Sequence, residues 1–408
     1  MNHHVQLISR LARPGESKIV LLVLDGVGDI RTAEQPQTAL DAARIPNLDA
    51  LAAGGALGRI VPVAQGITPG SGPGHLALFG FDPTEPTADI GRGVLEALGE
   101  GIQIRPGDIA ARGNFATADA AGNLTDRRAG RIPTEECVRL VAAINAKLKD
   151  VREIDASVYA GEGHRFVLLL KAGATPLDPN LADTDPQQIG VPPLPVAESA
   201  PFAASTAAKL RPVVEAIQRA IANEPRANRA LLRGFATVPH LPSVPDLYHM
   251  RCGAFAGYPL YRGVAAACGM DLVPCGKSFA ETVAAVREHW SKYDFFFLHV
   301  KKTDMAGEDG DLATKIHALE DVDAILPELL ALGPDVVAIT GDHSTPAPMK
   351  GHSWHPVPLL LWSKQCYVDD CKAFTESAAI HGAIGTVRSS ELMGLMLANA
   401  GRLAKYGA

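Results

Sequence analysis

The sequence predicts an α/β fold in which a doubly wound, mainly parallel sheet carries an inserted α+β lid domain. Two observations lead to this prediction. Short runs of β-branched residues and leucine alternate with helical stretches near both ends of the chain, which is typical of a parallel sheet covered on both faces. The middle of the chain breaks this alternation, and 408 residues are enough for two or three domains.

Four apolar runs are predicted to be buried strands of this sheet: residues 19–24, 295–300, 336–340 and 357–362. Polar residues follow three of them. The first run ends at Asp25, the second precedes Lys301 and Asp304, and the third precedes Asp342 and His343. Because open α/β sheets bind ligands at the carboxyl ends of their strands, we expect these side chains to line one site.

Three stretches are predicted to be helices that flank the sheet: residues 47–54, 278–292 and 311–332. The last of them spaces Ile316, Leu319 and Val322 at three-residue intervals, as in a helix with one buried face. Pro327 lies within it and is expected to bend or interrupt the helix.

The inserted lid domain is predicted to cover residues 107–239, which leaves residues 1–106 and 240–408 as a discontinuous catalytic domain. Shorter strands are expected at 155–159 and 165–171, and helices at 134–149 and 203–223. The segment 175–201 is rich in proline and aspartate and too long for a crossover inside a core, so we expect a surface excursion.

Composition and charge exclude several classes of protein. A net charge of −7 without a dense Lys/Arg tract argues against a nucleic-acid partner. No apolar run reaches the ~18 residues of a membrane span, and no export signal precedes the first strand, so we expect no membrane partner and a cytoplasmic location. The six cysteines form no C-x-x-C pair, which favours reduced thiols. None of these features predicts the oligomeric state.

The candidate metal ligands fall in five short segments. A single acid after a strand is most often a helix N-cap, but three such acids together with histidines fit that explanation poorly. Carboxylates mixed with imidazoles suit Mn²⁺, Zn²⁺ or Mg²⁺, and this many ligands would serve two ions, an arrangement common in phosphoryl transfer. The candidates are Asp25, Ser71, Asp304, Glu308, Asp342, His343 and His352.

Residues 69–76, PGSGPGHL, place one serine among glycines and prolines. Taken alone, Ser71 is best explained as the N-cap of the helix that follows. The alternative is a nucleophile, because glycines let a phosphate approach the backbone and a helix N-terminus attracts an anion; the hydroxyl then needs a base or a metal ion. His75 either orients the serine loop or packs in the core.

In their order, these segments resemble the cofactor-independent phosphoglycerate mutases of the alkaline phosphatase superfamily. The shared motifs are Asp-Gly after the first strand, Ser-x-x-Gly-His-Leu at 71–76, Asp-x-x-Gly-Glu-x-Gly-Asp at 304–311, Gly-Asp-His at 341–343 and His-x-x-x-Pro-Val-Pro at 352–358. The shorter archaeal-type branch, which also occurs in bacteria, is the most similar, as the chain length and GRGVLEALG at 91–99 indicate.

The resemblance implies an alkaline phosphatase-like fold and an isomerase that interconverts 2-phosphoglycerate and 3-phosphoglycerate in glycolysis and gluconeogenesis, with Ser71 transiently phosphorylated. It also implies two metal sites, one formed by Asp304, Glu308 and His352 and the other by Asp25, Ser71, Asp342 and His343. Many relatives have histidine at the position of Glu308, and the extra carboxylate favours Mn²⁺ or Mg²⁺ over zinc.

A mutase must hold the glycerate while its phosphate is on the enzyme, and a lid would exclude the water that hydrolyses the intermediate. His164 is expected to be the general base, since imidazole titrates near neutrality. Guanidinium and ammonium groups would bind the carboxylate and phosphate. The substrate-binding candidates are Arg112, Asn114, Arg128, Arg131, Arg165, Arg233, Lys277 and Lys301. The alternative is a phosphomonoester hydrolase or another phosphomutase of the same superfamily.

Overall fold

The computed structural model describes residues 3–85, 88 and 90–407. It divides into two compact units, one of residues 1–89 with 241–408 and the other of residues 90–240. The second unit begins at 90 rather than at the expected 107, because a helix at residues 92–99 packs against three of its strands.

The strands of the described residues, in chain order, are β1 (Ile19–Leu24), β2 (Ala56–Val61), β3 (Ile109–Ala118), β4 (Leu124–Asp126), β5 (Asp155–Ala160), β6 (Arg165–Lys171), β7 (Arg229–Ala236), β8 (Cys252–Phe255), β9 (Asp271–Leu272), β10 (Phe295–Val300), β11 (Val336–Thr340), β12 (Val357–Ser363) and β13 (Gly385–Arg388). The α-helices are α1 (His3–Leu11), α2 (Ala39–Ala42), α3 (Pro46–Ala53), α4 (Ser71–Leu78), α5 (Arg92–Gly99), α6 (Thr134–Leu148), α7 (Ala204–Ile221), α8 (Val244–Tyr248), α9 (Pro259–Ala267), α10 (Phe279–Glu288), α11 (Lys302–Asp309), α12 (Leu312–Leu330), α13 (Glu376–His381) and α14 (Leu392–Asn399).

The first unit is built on an eight-stranded sheet in the order β13-β2-β12-β11-β1-β10-β8-β9. β1 lies between β10 and β11 and runs parallel to both, with Leu24 paired to Val300 and Val23 to Thr340. Every residue of these three strands is buried, which explains why their sequences are almost wholly apolar. The register brings the residues after all three strands to one edge of the sheet, as the sequence predicted.

The fourth predicted strand of this unit, β12, is present but pairs antiparallel with β11 and β2, so the sheet is mainly and not wholly parallel. The expected helices are α3, α10 and α12, with their ends shifted by a few residues. α12 runs through Pro327 without ending there. The predicted α/β class is confirmed.

The second unit contains an antiparallel sheet in the order β4-β3-β6-β5, with β7 on the other side of β3. α6 and α7 pack together, and both match the helices expected there. The segment 175–201 is anchored to this unit, since buried Asp185 accepts two hydrogen bonds from the Arg127 guanidinium, at 2.8 and 2.7 Å. Among the described residues, no helix has the length and apolarity that crossing a membrane requires.

Candidate active site

The carboxyl edge of the central strands in the first unit gathers most of the candidate ligands. Asp25 directly follows β1, Asp342 and His343 follow β11, and Asp304 lies in the first turn of α11, which begins just after β10. All four side chains are fully buried. Parallel pairing of the three strands therefore places ionisable groups that are distant in the sequence next to one another.

One group of side chains that could hold a metal ion consists of Asp25, Asp342 and His343. His343 Nε2 lies 3.4 Å from Asp25 Oδ1 and 3.2 Å from Asp342 Oδ2. The Ser71 hydroxyl joins this group, because its Oγ is 3.3 Å from the same Nε2. The structure thus brings together the four residues that the family resemblance assigns to one ion.

A second group consists of Asp304, His343 and His352. His352 Nε2 is 3.5 Å from Asp304 Oδ1, and the two imidazole rings stack with their centres 3.7 Å apart. Glu308 lies at the rim, with its Oε1 3.7 Å from His352 Nε2 and about half of its side chain exposed. Glu308 is therefore next to the second group but less enclosed than the other candidates.

The buried carboxylates carry acceptor atoms that fit a bound cation. Asp25 Oδ1 and Asp342 Oδ2 are buried and have no hydrogen-bond partner among the described residues. An orphaned buried oxygen is costly, so two of them beside imidazole nitrogens indicate donors arranged for a metal ion. Burial opposes ionisation of Asp342, but the attraction of His343 and His75 outweighs it and lowers the pKa of this carboxyl.

Ser71 does not cap a helix. It is the first residue of α4, and Gly70 occupies the N-cap position without any side-chain cap. Gly74, one turn along the helix, lies so close to the backbone of Asp342 that a Cβ there would be 2.4 Å from the carbonyl oxygen. The glycine therefore lets the N-terminus of α4 pack directly against the loop after β11. Because Gly70, and not Ser71, occupies the N-cap position, the interpretation of Ser71 as an N-cap is wrong.

His75 contacts both the serine loop and the acids. Its Nδ1 donates to the Ser71 carbonyl at 2.8 Å and is 3.2 Å from Asp342 Oδ2, and the ring is fully buried between aromatic neighbours such as Tyr261. Burial opposes the charged ring, but Asp342 outweighs that effect and raises the pKa of His75. His75 therefore combines the two alternatives: it hydrogen-bonds the serine loop and it also packs in the core.

The structure places Lys301 among the ligands. Its ammonium is 3.2 Å from Asp25 Oδ2 and forms a closer ion pair with Asp304. Burial disfavours the charged lysine, but Asp25 and Asp304 outweigh it and raise the pKa of Lys301. Lys277, the other predicted lysine, is exposed before α10, with its ammonium 5.2 Å from the centre of the Tyr258 ring.

Sequence reasoning missed several buried side chains that contact the candidate ligands, among them His299 and Thr345. His299, inside β10, has its Nε2 3.0 Å from Asp25 Oδ2. Thr345 donates its hydroxyl to Asp304 Oδ1 at 2.6 Å and lies 3.0 Å from His343 Nδ1. A histidine inside the otherwise apolar run FFFLHV was a visible signal for the first, whereas nothing in the sequence distinguishes Thr345 from an ordinary turn residue.

In the second unit, pairing of β3 with its neighbours assembles several of the predicted anion-binding residues. Arg112 is opposite Arg233, and Asn114 is opposite Arg165. The Arg112 Nε and the Asn114 Oδ1 are buried without a hydrogen-bond partner among the described residues. Burial lowers the pKa of Arg112 to about 10, against the attraction of Glu96. A guanidinium held among other cations is a suitable place for an anion.

His164 belongs to the same cluster of positive charge. Burial and repulsion from the guanidinium groups of Arg165 and Arg112 lower the pKa of His164 to about 4, with Arg128 and Arg131 contributing. The imidazole is therefore neutral at physiological pH. The predicted general base thus lies close enough to most of the predicted arginines for their charges to lower its pKa.

Arg128 and Arg131 are presented on an unusual turn. Ala129, Gly130 and Arg131 have φ values of 49°, 61° and 53°, in the region that L residues rarely adopt. Asp126 holds this turn through the backbone, accepting from the N–H groups of Arg128 at 2.7 Å and Gly130 at 2.5 Å. Strain of this kind is found where side chains must be aimed for function.

Two other arginines of the second unit have acidic partners. Arg127, which precedes the turn, pairs with Asp185. Arg233 lies 3.5 Å from Asp183 and 3.6 Å from Asp185, so its charge is partly balanced within the protein. Of the predicted arginines, Arg233 therefore has the least charge available for a ligand.

Comparison with known proteins places these features in a family. A model of the family described as "2,3-bisphosphoglycerate-independent phosphoglycerate mutase" matches residues 52–227. A probable enzyme of this name from Thermus thermophilus is 46% identical over 405 residues, covering 98% of this chain and 99% of the relative. One from Deinococcus radiodurans is 44% identical over 412 residues and covers both chains completely, at 100% of each.

Solved structures agree with the sequence matches. The cofactor-independent phosphoglycerate mutase of Thermoplasma acidophilum has a TM-score of 0.70 and 28% identity, covering 94% of this chain and 100% of that one. A protein from Pyrococcus horikoshii has a TM-score of 0.81 and 30% identity, covering 98% of this chain and 100% of that one. The similarity therefore extends over nearly the whole chain in each case.

Proposed function

This chain belongs to the 2,3-bisphosphoglycerate-independent phosphoglycerate mutases, and from that premise we propose how its residues carry the reaction. The enzyme is an isomerase that interconverts 2-phosphoglycerate and 3-phosphoglycerate, a glycolytic step, so its substrate is a small anionic molecule. We propose that Ser71 carries the phosphoryl group between the two oxygens. The position of its hydroxyl beside His343, Asp25 and Asp342 is the observation that supports this most.

Two divalent ions would be held at the carboxyl edge of the sheet. Asp304, His352 and Glu308 would hold one, and Asp25, Ser71, Asp342 and His343 the other. When bound, such ions would lower the pKa of the Ser71 hydroxyl and balance charge on the phosphate. Because carboxylates outnumber imidazoles in this set, Mn²⁺ is the ion we expect, with Mg²⁺ or Zn²⁺ as substitutes.

The phosphoryl group moves in two balanced transfers. In the first, Ser71 Oγ loses its proton and attacks phosphorus, while the bond from phosphorus to the substrate oxygen breaks and that oxygen takes a proton. In the second, the other glycerate hydroxyl loses its proton and attacks phosphorus, while the bond from phosphorus to Ser71 Oγ breaks and Oγ takes a proton. Placing α4 with its N-terminus at Ser71 supports this role, because the helix end favours the phosphate charge.

We propose that the cluster of positive charge in the second unit binds the carboxylate and exchanges the glycerate proton. Arg112, Asn114, Arg128, Arg131 and Arg165 would bind the anion, with Arg233 in a lesser role. His164 would accept and return the proton. Its low pKa suits a neutral imidazole before the substrate arrives, and an anion among the arginines would offset their repulsion and make His164 more basic.

The reaction can be followed directly. Purified enzyme supplied with 3-phosphoglycerate and Mn²⁺ should form 2-phosphoglycerate without accumulating inorganic phosphate, as measured by ³¹P NMR. Release of phosphate without the 2-isomer would instead indicate a hydrolase. Activity should disappear after exhaustive chelation with EDTA and return best with Mn²⁺; activity that survives chelation would contradict the metal proposal.

The serine has a matched control in the same unit. Ser71→Ala should abolish turnover and leave the free energy of unfolding nearly unchanged, because the Ser71 side chain caps no helix. Ser278 does cap α10, accepting from the Glu281 N–H at 3.3 Å, so Ser278→Ala should cost about 1 kcal/mol of stability and keep full turnover. Substantial mutase activity in Ser71→Ala would exclude the phosphoserine.

We also propose that the enzyme works in the cytoplasm. All six cysteines are free thiols in the structure, as expected in a reducing compartment. Cell fractionation with antibody detection would test this, and recovery of the protein mainly outside the cytoplasmic fraction would contradict it.

A further inference from the structure

Thr345 makes two side-chain contacts that constrain the protons around it. Its hydroxyl oxygen is 2.6 Å from Asp304 Oδ1 and 3.0 Å from His343 Nδ1. All three side chains are fully buried, so water does not compete for these hydrogen bonds. The threonine therefore joins Asp304 to His343, the imidazole that is common to both candidate metal groups.

The hydroxyl has one proton, and the carboxylate can only accept, so the proton of Thr345 goes to Asp304. The threonine oxygen then receives a hydrogen bond from His343, which requires a proton on Nδ1. A neutral imidazole protonated at Nδ1 has its lone pair on Nε2. That nitrogen faces Ser71 Oγ, at 3.3 Å.

Lys315 fixes the backbone of this threonine. Its fully buried ammonium donates to the Thr345 carbonyl at 2.9 Å and to the Gly28 carbonyl at 3.2 Å, and is 3.9 Å from Asp29. Lys315 comes from α12, which directly follows the helix with Asp304. One ammonium therefore connects the loop after β1, the loop after β11 and the α11–α12 segment.

Two glycines are packed against Thr345 with no room for a side chain. A Cβ at Gly26 would lie 2.4 Å from the threonine hydroxyl oxygen, and a Cβ at Gly307 would lie 2.3 Å from its carbonyl oxygen. Gly26 also has a φ of +61°, which disfavours other residues. The chain thus encloses Thr345 on two sides in addition to holding it through Lys315.

We propose that Thr345, held by Lys315, is a positioning residue that fixes His343 as its Nδ1–H tautomer and so directs the Nε2 lone pair to the Asp25, Asp342 and Ser71 side of the site. The inference rests on the function proposed above and deepens it. Because Nδ1 is taken up by Thr345, His343 serves the group containing Asp25 and Asp342, not the group containing Asp304 and His352.

The tautomer is measured in metal-free enzyme labelled with ¹⁵N-histidine, at pH 8, by long-range ¹H–¹⁵N NMR, with His343→Asn used to assign the signal. We expect the Nδ1–H pattern for His343. Thr345→Val keeps the shape of the side chain and removes the hydroxyl, so it should abolish this preference, whereas Thr345→Ser should retain it. An Nε2–H pattern, or a ring protonated on both nitrogens, in the unsubstituted enzyme would overturn the proposal.

Mn²⁺ affinity, measured by titration calorimetry, gives a second readout. Loss of a group that orients a ligating imidazole typically costs 10- to 100-fold in metal affinity, so Thr345→Val should weaken binding by about that factor and Thr345→Ser by at most about 3-fold. Circular dichroism and thermal unfolding check that both variants fold. If Thr345→Val is folded and keeps both the tautomer and the affinity, the proposal is wrong.

These measurements separate this proposal from the proposed function. The tautomer is read without substrate or metal, so a correct tautomer in an enzyme that only hydrolyses phosphoglycerate would refute the mutase chemistry and not the role of Thr345. Normal mutase activity with the Nε2–H tautomer would do the reverse.

Discussion

Replacing Gly74 by alanine should move Ser71 away from His343 and Asp342 without changing any of these three residues. A Cβ at this position would lie 2.4 Å from the carbonyl oxygen of Asp342 and 3.1 Å from its carbonyl carbon. Both are backbone atoms, so no flexible side chain can move aside. Restoring a separation of 3.0 to 3.4 Å from 2.4 Å requires a shift of about 0.6 to 1.0 Å between α4 and the loop after β11.

The size of the effect follows from that shift. Overpacking of this kind costs about 1–3 kcal/mol of stability, which a folded enzyme of this size should tolerate. Catalysis is more sensitive, because a 1 Å misplacement of reacting groups can cost about 10²-fold in rate. Since Ser71 begins the same helix and its Oγ is 3.3 Å from His343 Nε2, we expect kcat to fall by about 10²-fold.

Gly70→Ala is the matched control. Gly70 has a φ of −87°, which alanine adopts readily, and a Cβ there would meet only Pro73, at 3.8 Å. The assay is conversion of 3-phosphoglycerate by ³¹P NMR under saturating substrate, alongside thermal unfolding. Gly70→Ala should keep kcat within about 2-fold. A Gly74→Ala enzyme as active as this control would refute the inferred contact between the serine helix and Asp342.

Three further predictions concern charge. Burial raises the pKa of Glu376 to about 7, so between pH 4.5 and 7 the folded state keeps a proton that the unfolded state has lost. The free energy of unfolding should therefore fall by at most about 3 kcal/mol as the pH rises from 4.5 through 7. Glu376→Gln should flatten this pH profile in denaturant titrations. Arg112→Met should raise the pKa of His164 from about 4 in an NMR titration and raise KM for phosphoglycerate; an unchanged pKa would show that Arg112 does not act on His164. Lys315→Met should destabilise the fold by about 3 kcal/mol, since it leaves buried acids such as Asp29 without their cation, and an unchanged melting temperature would contradict that role.

The central part of the fold could be predicted because burial on both faces leaves a clear trace in sequence. β1, β10 and β11 are continuous apolar runs, and parallel pairing then dictates that the residues after them meet. β8, β9 and β13 have four residues or fewer and were not predicted, because so short a strand has no periodicity to read. The longer strands β2, β3 and β7 were not predicted either. The start of the second unit was not predicted correctly, because α5 belongs to this unit through its packing against the strands, which the sequence pattern does not reveal.

Some residues of the candidate site could likewise be recognised in the sequence, and others could not. Ser71 and the strand-end acids are recognisable because their neighbours are glycines and apolar runs, which are unusual surroundings for polar side chains. The side chains of His299, Thr345 and Lys315 form hydrogen bonds with residues at least 30 positions away in the sequence, apart from the contact between Thr345 and His343. Their roles depend on which loops meet, and that is decided by the assembled sheet.

Burial distinguishes the two lysines at this site. Asp25, Asp304 and Asp342 are fully buried and close together, so their mutual repulsion must be balanced by cations of the protein itself. Lys315 has no exposed side-chain surface and donates hydrogen bonds to backbone carbonyls. Removing its ammonium would therefore disrupt the loops after β1 and β11. Lys301 keeps 17% of its side chain exposed and contacts the carboxylates directly. We therefore propose that Lys301, and not Lys315, is the lysine that can leave these carboxylates and contact the phosphate of a bound substrate.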